Sequence, residues 1–156
     1  MIMEPDEPDT RPINPLEVVL FLQNPWFPPT ADPTMVMRYS EDILFRREIL
    51  AQTMTGKRLI AIFGEVWYNT MWIDNANPSA ASSSRGVRPA DIRHMESVLT
   101  TRMPMVVATM GNIAKCGLEQ LRKSNRPMAR YFNSLTHVHS PHPNAMGVTM
   151  DQLRAF

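Results

Sequence analysis

Cysteine is nearly absent: Cys116 is the single one in the chain, which excludes an internal disulfide and any zinc or iron–sulfur site built from several thiolates. A reducing compartment fits that usage. No apolar run approaches the roughly 18 residues needed to span a bilayer. The first ten residues hold Glu4, Asp6, Glu7 and Asp9 with no base, the reverse of a secretory signal's basic start. The expectation is an intracellular protein, in the cytoplasm or in a nucleus, with no membrane partner. Excess charge is missing too, because 16 basic and 15 acidic residues leave a net +1. That balance argues neither for nor against a polyanionic partner. No internal repeat is visible.

What remains is the composition of one globular domain, with 156 residues, 44% of them hydrophobic and 20% charged. The 13 methionines read as adaptable core filler. Charge is unevenly spread. Between positions 85 and 130 nine Lys or Arg face three acids, a local +6 that suits a polyanion or simply a solvated basic face.

Residues 1–15 carry four prolines and little to bury, so they read as a flexible leader to a single domain over 16–156. Leu16 to Gln23 has no polar alternation and stops at Asn24-Pro25, as a strand buried on both faces does. The prolines at 25, 28, 29 and 33 then predict an irregular stretch to Tyr39. Ser40 is placed to cap a helix carrying Ile43, Leu44, Ile49, Leu50 and Met54, and a second helical piece runs to Gly64. Val66 to Asn75 is rich in β-formers and reads as the second strand. A Ser-rich loop follows, and Pro89 is placed to open a helix with Ile92, Met95, Val98 and Leu99 on one stripe. Met103 to Met110, Gly111 and the segment from Asn112 form a strand, a glycine turn and a helix. An edge strand at Leu135 to Val138 and a short helix from Met150 to Phe156 close the chain.

Strands alternating with helices predict the α/β class, as a three-layer α/β/α sandwich around four parallel strands. Ligands of such sheets sit beyond the carboxyl ends of the strands. Three of those ends are polar here: Gln23-Asn24, Asp74-Asn75, and Thr136 to Asn144. Asn beside Pro is also ordinary turn chemistry.

The segment Leu22-Gln23-Asn24-Pro25-Trp26-Phe27 resembles the first motif of the uracil-DNA glycosylase superfamily, in which a strand ends in Gly-Gln-Asp-Pro-Tyr-His or Gly-Ile-Asn-Pro-Gly. His142-Pro143-Asn144-Ala145-Met146 resembles the second, commonly His-Pro-Ser-Pro-Leu. Trp72 to Asn75 stands where that family has a strand ending in its base-reading Asn, and Pro104 to Ala114 is similar to its strand and glycine turn. The likeness in order and spacing runs over about residues 16 to 148.

The resemblance implies a sandwich of the glycosylase type and hydrolysis of an N-glycosidic bond in DNA, releasing uracil or a related deaminated base and leaving an abasic site. Such chemistry requires an everted nucleotide. The implied catalytic residues are Asn24 beside the sugar and His142 against the base carbonyl, where a placed donor stabilises the departing anion. Asn24 stands where an Asp activates water, and an amide can orient water but cannot take its proton. Asn75 would read the base with one donor and one acceptor. Gln23 would line the pocket with it, and Trp26 would fill the space a thymine methyl needs. Tyr39 and Phe45 are candidates for the aromatic platform under the base. Asn144, Met146 and Gly147 would meet DNA, Met146 as the apolar wedge filling the vacated stack and Gly147 as the residue that lets its loop approach the duplex.

No cofactor is implied, and no lysine lies in either motif for Schiff-base chemistry. His137, His139 and His142 lie close together, yet no second ligand group with zinc spacing accompanies them, so no metal is expected. A monomer acting on DNA is the expectation. Leu22 replaces the family's first Gly, and Asn144-Ala145 replaces its Ser-Pro. These departures leave open a catalytically inactive module that binds DNA or a protein partner, and a hydrolase of free nucleosides using the same pocket.

Overall fold

The computed structural model describes residues 17–81, 86–124 and 126–142. The leader at 1–15, the helix expected at 150–156 and the DNA-contacting Asn144, Met146 and Gly147 lie outside the described residues. Within them, the chain runs β1 (Val18–Leu22), α1 (Pro33–Glu41), α2 (Ile43–Ala51), α3 (Met54–Phe63), α4 (Glu65–Tyr68) and β2 (Trp72–Asn75). It continues through α5 (Ile92–Arg102), β3 (Val106–Met110), α6 (Asn112–Lys123), α7 (Ala129–Ser134) and β4 (Thr136–Ser140). This is an α/β fold.

All strand pairs are parallel, and the sheet order is β2-β1-β3-β4. β1 is central, pairing Leu20 with Ile73 on one side and with Ala108 on the other. Its side chains alternate between two cores, as a strand's period of two requires. Val19 and Phe21 pack with Met95, Leu99, Leu118 and Phe132 beneath α5, α6 and α7. Leu20 and Leu22 pack with Leu50, Leu59, Tyr68 and Ile73 beneath α2 to α4. Helices therefore cover both faces, an arrangement compatible with a three-layer sandwich.

Several local expectations are corrected. The proline-rich stretch is not irregular throughout, because Pro33 occupies the first turn of α1, where a missing N–H costs nothing, and the Asp32 carboxylate accepts from Thr34 N–H at 3.0 Å. Ser40 consequently lies inside α1. Asp42 caps α2 instead, accepting from the N–H groups of Leu44 and Phe45 at 3.0 and 3.2 Å. The β-rich run from Val66 begins as the short helix α4, and only Trp72–Asn75 pairs in the sheet. Asp91, not Pro89, starts α5, and α7 is a helix the apolar spacing did not signal. β4 ends two residues later than expected, at Ser140.

The basic stretch is not a uniform outer face. Arg102 is buried against Glu17 at 3.0 Å, Arg122 donates to the carbonyls of Phe132 and Leu135 at 3.1 and 2.5 Å, and Arg126 pairs with Glu96 at 2.9 Å.

Candidate functional site

Because β2 and β3 flank β1 on opposite sides, consecutive connections leave the sheet in different directions, and a crevice opens above the strand ends. A cavity of about 390 Å³ lies there, a volume suited to a small ligand. Its wall includes Gln23 and Asn24 after β1, Asn75 at the end of β2 and His142 beyond β4. Trp26 and Tyr39 complete the expected residues found in it. Three segments remote in sequence thus converge. A second recess, of about 420 Å³, shares Gln23 and His142 and is bounded by Gly111 and Asn112 at the start of α6.

Asn24 is held tightly. Its Nδ2 donates to the carbonyls of Pro25 and Gly86 at 3.0 and 3.3 Å, and its Oδ1 accepts the Arg88 N–H at 3.2 Å. Both amide hydrogens are therefore committed to backbone, and one lone pair of Oδ1 remains to accept from a water. Asn24 ties the segment at 86–88 against the end of β1.

Asn75 is buried, and its backbone N–H donates to the Asp74 carboxylate at 2.8 Å. Asp74 is buried as well and takes the Trp72 indole N–H at 3.0 Å and the His94 Nε2 at 2.8 Å, with the Arg46 guanidinium 3.7 Å away. Burial pushes its carboxyl pKa up, but the His94 bond, the Arg46 charge and the Asn75 N–H together outweigh that and hold it below the usual carboxylate range. Arg46 is itself fully buried and donates to the carbonyls of Ile73, Tyr39 and Ser40 at 2.7, 2.9 and 3.1 Å. One side chain on α2 thereby joins the end of α1, which carries Tyr39, to the end of β2, which carries Asn75.

Tyr39 is buried, its ring edge-on to Phe27 at 5.3 Å between centroids. Burial raises its phenol pKa, an effect the Arg46 charge and the neighbouring Asn75 amide partly offset. Phe27 also lines the cavity and is less enclosed than Tyr39, which makes it a further candidate for the aromatic platform, one the sequence did not single out. Phe45 is not in the wall: it carries the Arg38 guanidinium 4.1 Å above its ring. Trp26 lies on the rim with 47% of its surface exposed, so it does not seal the cavity as an inward aromatic would.

His142 is half-buried, and desolvation lowers its pKa, so the imidazole is neutral at neutral pH. It leans on Gly111, whose φ of +94° is a backbone conformation that residues with a side chain rarely adopt. The Gly111 N–H donates to Ser140 at 2.9 Å and fixes the end of β4 from which His142 projects. His137 and His139 are not in the wall of the main cavity: both are bonded to the buried Thr109 hydroxyl, at 2.6 and 2.9 Å, and His139 lines the second recess beside His142. Among the described residues no three metal-ligating side chains cluster, and no helix is long and apolar enough to cross a membrane.

The cavity therefore offers the Asn24 oxygen as an acceptor, the Gln23 and Asn75 amides, the His142 imidazole and aromatic and aliphatic walls that include Leu22, Ile49 and Leu50, a set suited to a flat heterocycle with carbonyl and N–H edges. No family model matches this chain, and no curated protein matches it either.

Proposed function

We propose that the chain is a DNA glycosylase that takes an everted uracil or related deaminated base into the strand-end cavity and hydrolyses its N-glycosidic bond. The observation that carries this reading is the meeting of Asn24, Asn75 and His142, from three distant segments, in one cavity above a parallel sheet. In the step, the bonding pair between the sugar carbon and the base nitrogen leaves with the base. Water supplies hydroxide to the sugar carbon and, in the end, a proton to the base. Neutral His142 donates a hydrogen bond to the carbonyl on which charge accumulates. Asn75 matches a carbonyl and an N–H on the base edge. The free lone pair of Asn24 aligns the water without deprotonating it, so catalysis is slow.

The reading is supported further by the sheet's parallel pairing and by the resemblance of both strand-end motifs to uracil-DNA glycosylases. Incubation with a single-uracil oligonucleotide, followed by alkali, tests it: strand scission at the uracil is the expected result, and intact strands at equimolar protein contradict it. The commitment of both Asn24 amide hydrogens to backbone favours a second reading, a module of the same fold that binds DNA without cutting. Salt-sensitive binding without base release is its signature.

A further inference from the structure

Trp26 is exposed, which alone is unremarkable for a single residue, but its backbone is firmly held. It pairs with Ala81 in a parallel bridge, Ala81 N–H donates to Pro25 at 2.9 Å, and Phe27 N–H donates to Ala81 at 2.9 Å. The indole is thus presented from a braced loop rather than a loose one. Met54, also in the cavity wall, is 60% exposed, so the mouth carries apolar surface beside Trp26. A cation is fixed nearby. Arg88 donates from its guanidinium to Ala80 at 3.2 and 2.8 Å, one residue from Trp26's bridge partner, while its peptide N–H holds Asn24.

An aromatic side chain at the edge of an opening of base-like size, and a cation held on the residue next to that aromatic's bridge partner, are the two elements that single-stranded nucleic acid requires: a surface for stacking and a charge for the phosphate. We propose that Trp26 is the stacking platform for the nucleobase adjacent to the one in the cavity, with Arg88 meeting the phosphate between them, and that the preferred ligand is single-stranded DNA. In a duplex the neighbouring base is already stacked and paired, and freeing its face costs a few kcal/mol. In a single strand that face is available. The inference rests on the reading that the cavity holds a base.

Its test uses a single-stranded thymidine oligonucleotide with one central uracil, bearing fluorine at the sugar 2′ carbon so that the bond resists hydrolysis, and the matching duplex. Fluorescence anisotropy of a dye at the 5′ end of each oligonucleotide reports binding, a signal independent of the substituted tryptophan. Uracil release is followed in parallel on the unfluorinated strands. Trp26→Ala is expected to weaken single-strand binding about tenfold, in the range of one lost base–aromatic stack, and to raise KM on the single strand with kcat retained. Trp26→Phe is expected to keep most of the affinity. Trp67→Ala, also exposed but not in the cavity wall, is the control and should change nothing. Binding by Trp26→Ala within twofold of wild type overturns the inference. So does an equal loss on duplex and single strand, which would mark Trp26 as a duplex wedge. Uracil release with no dependence on Trp26 leaves the glycosylase reading standing and removes this one. Trp26-dependent binding of the single strand without any uracil release does the reverse.

Discussion

The Asn24 carboxamide oxygen accepts the peptide N–H of Arg88 at 3.2 Å, across 64 positions of sequence. That bond, with the donations to Pro25 and Gly86, makes Asn24 a brace for the cavity wall as well as a candidate water ligand. Asn24→Asp separates the two roles. A carboxylate keeps the Arg88 bond, loses both donations and faces two carbonyl oxygens, so stability should fall by about 1–3 kcal/mol in urea unfolding. The same change supplies a general base beside the sugar, and single-turnover base release should rise by about a hundredfold. Asn24→Ala should lower both.

His142→Ala should slow base release by about 10²- to 10³-fold, the usual loss when one donor to a developing anion is removed. The pH profile carries an independent signature. Because burial lowers the His142 pKa, the neutral donor persists below the ordinary imidazole value. Release should therefore stay level as pH falls through about 6.5 and decline only in more acidic buffer. A rise on acidification would mean that the charged imidazole is the active form.

Arg46→Ala removes donors from three carbonyls and leaves the buried Asp74 without its guanidinium neighbour. Denaturant unfolding should show a loss of about 3–5 kcal/mol, as for breaking a buried ion pair from one side. Arg46→Lys, with a point charge and a shorter reach, should recover only part of it.

This arginine shows where sequence reading stopped. Ile43, Arg46, Arg47 and Leu50 fall at helical spacing on one stripe, and all four are buried. The periodicity was there to be read, but charge on a helix suggests solvent, and only the fold brings the carbonyls of Tyr39, Ile73 and, for Arg47, Met71 into reach. β1 and β3 were legible because a strand buried on both faces leaves a continuous apolar run, whereas the run from Val66 overshot β2, and β4, an edge strand of alternating Thr, His, Val, His and Ser, carries no such run. The polar ends after the strands marked the stretches Gln23-Asn24, Asp74-Asn75 and Thr136 to Asn144, and the motif resemblance singled out Asn24, Asn75 and His142 within them. α1 was not legible, because proline at a first helical turn looks like proline in a loop until the Asp32 cap is seen. Phe27 went unnoticed beside Trp26, since adjacent aromatics in a loop give no sign of which one turns inward.

Thr109 links His137 and His139 through a hydroxyl that has one proton to give and two lone pairs to accept with, so it donates to at most one ring and the tautomers set the rest. Desolvation by burial lowers the pKa of both histidines. A depressed histidine pKa means that the unfolded chain binds more protons just below about 6.5, so stability should be full above that pH and fall as the solution is acidified through it. Thermal unfolding at pH 7.5 and 5.5 measures the drop. Thr109→Val should cost about 1–2 kcal/mol at neutral pH by leaving ring nitrogens unpaired.

The most direct measurement is fluorine NMR of a single-stranded oligonucleotide with one 5-fluorouracil, titrated with the protein. A resonance displaced from its free position, weakened by Asn75→Leu, and a growing signal of free 5-fluorouracil that His142→Ala slows by about 10²- to 10³-fold, are what base capture and release by this cavity predict. A resonance that stays at its unbound position in excess protein, with no free base after prolonged incubation, would contradict it.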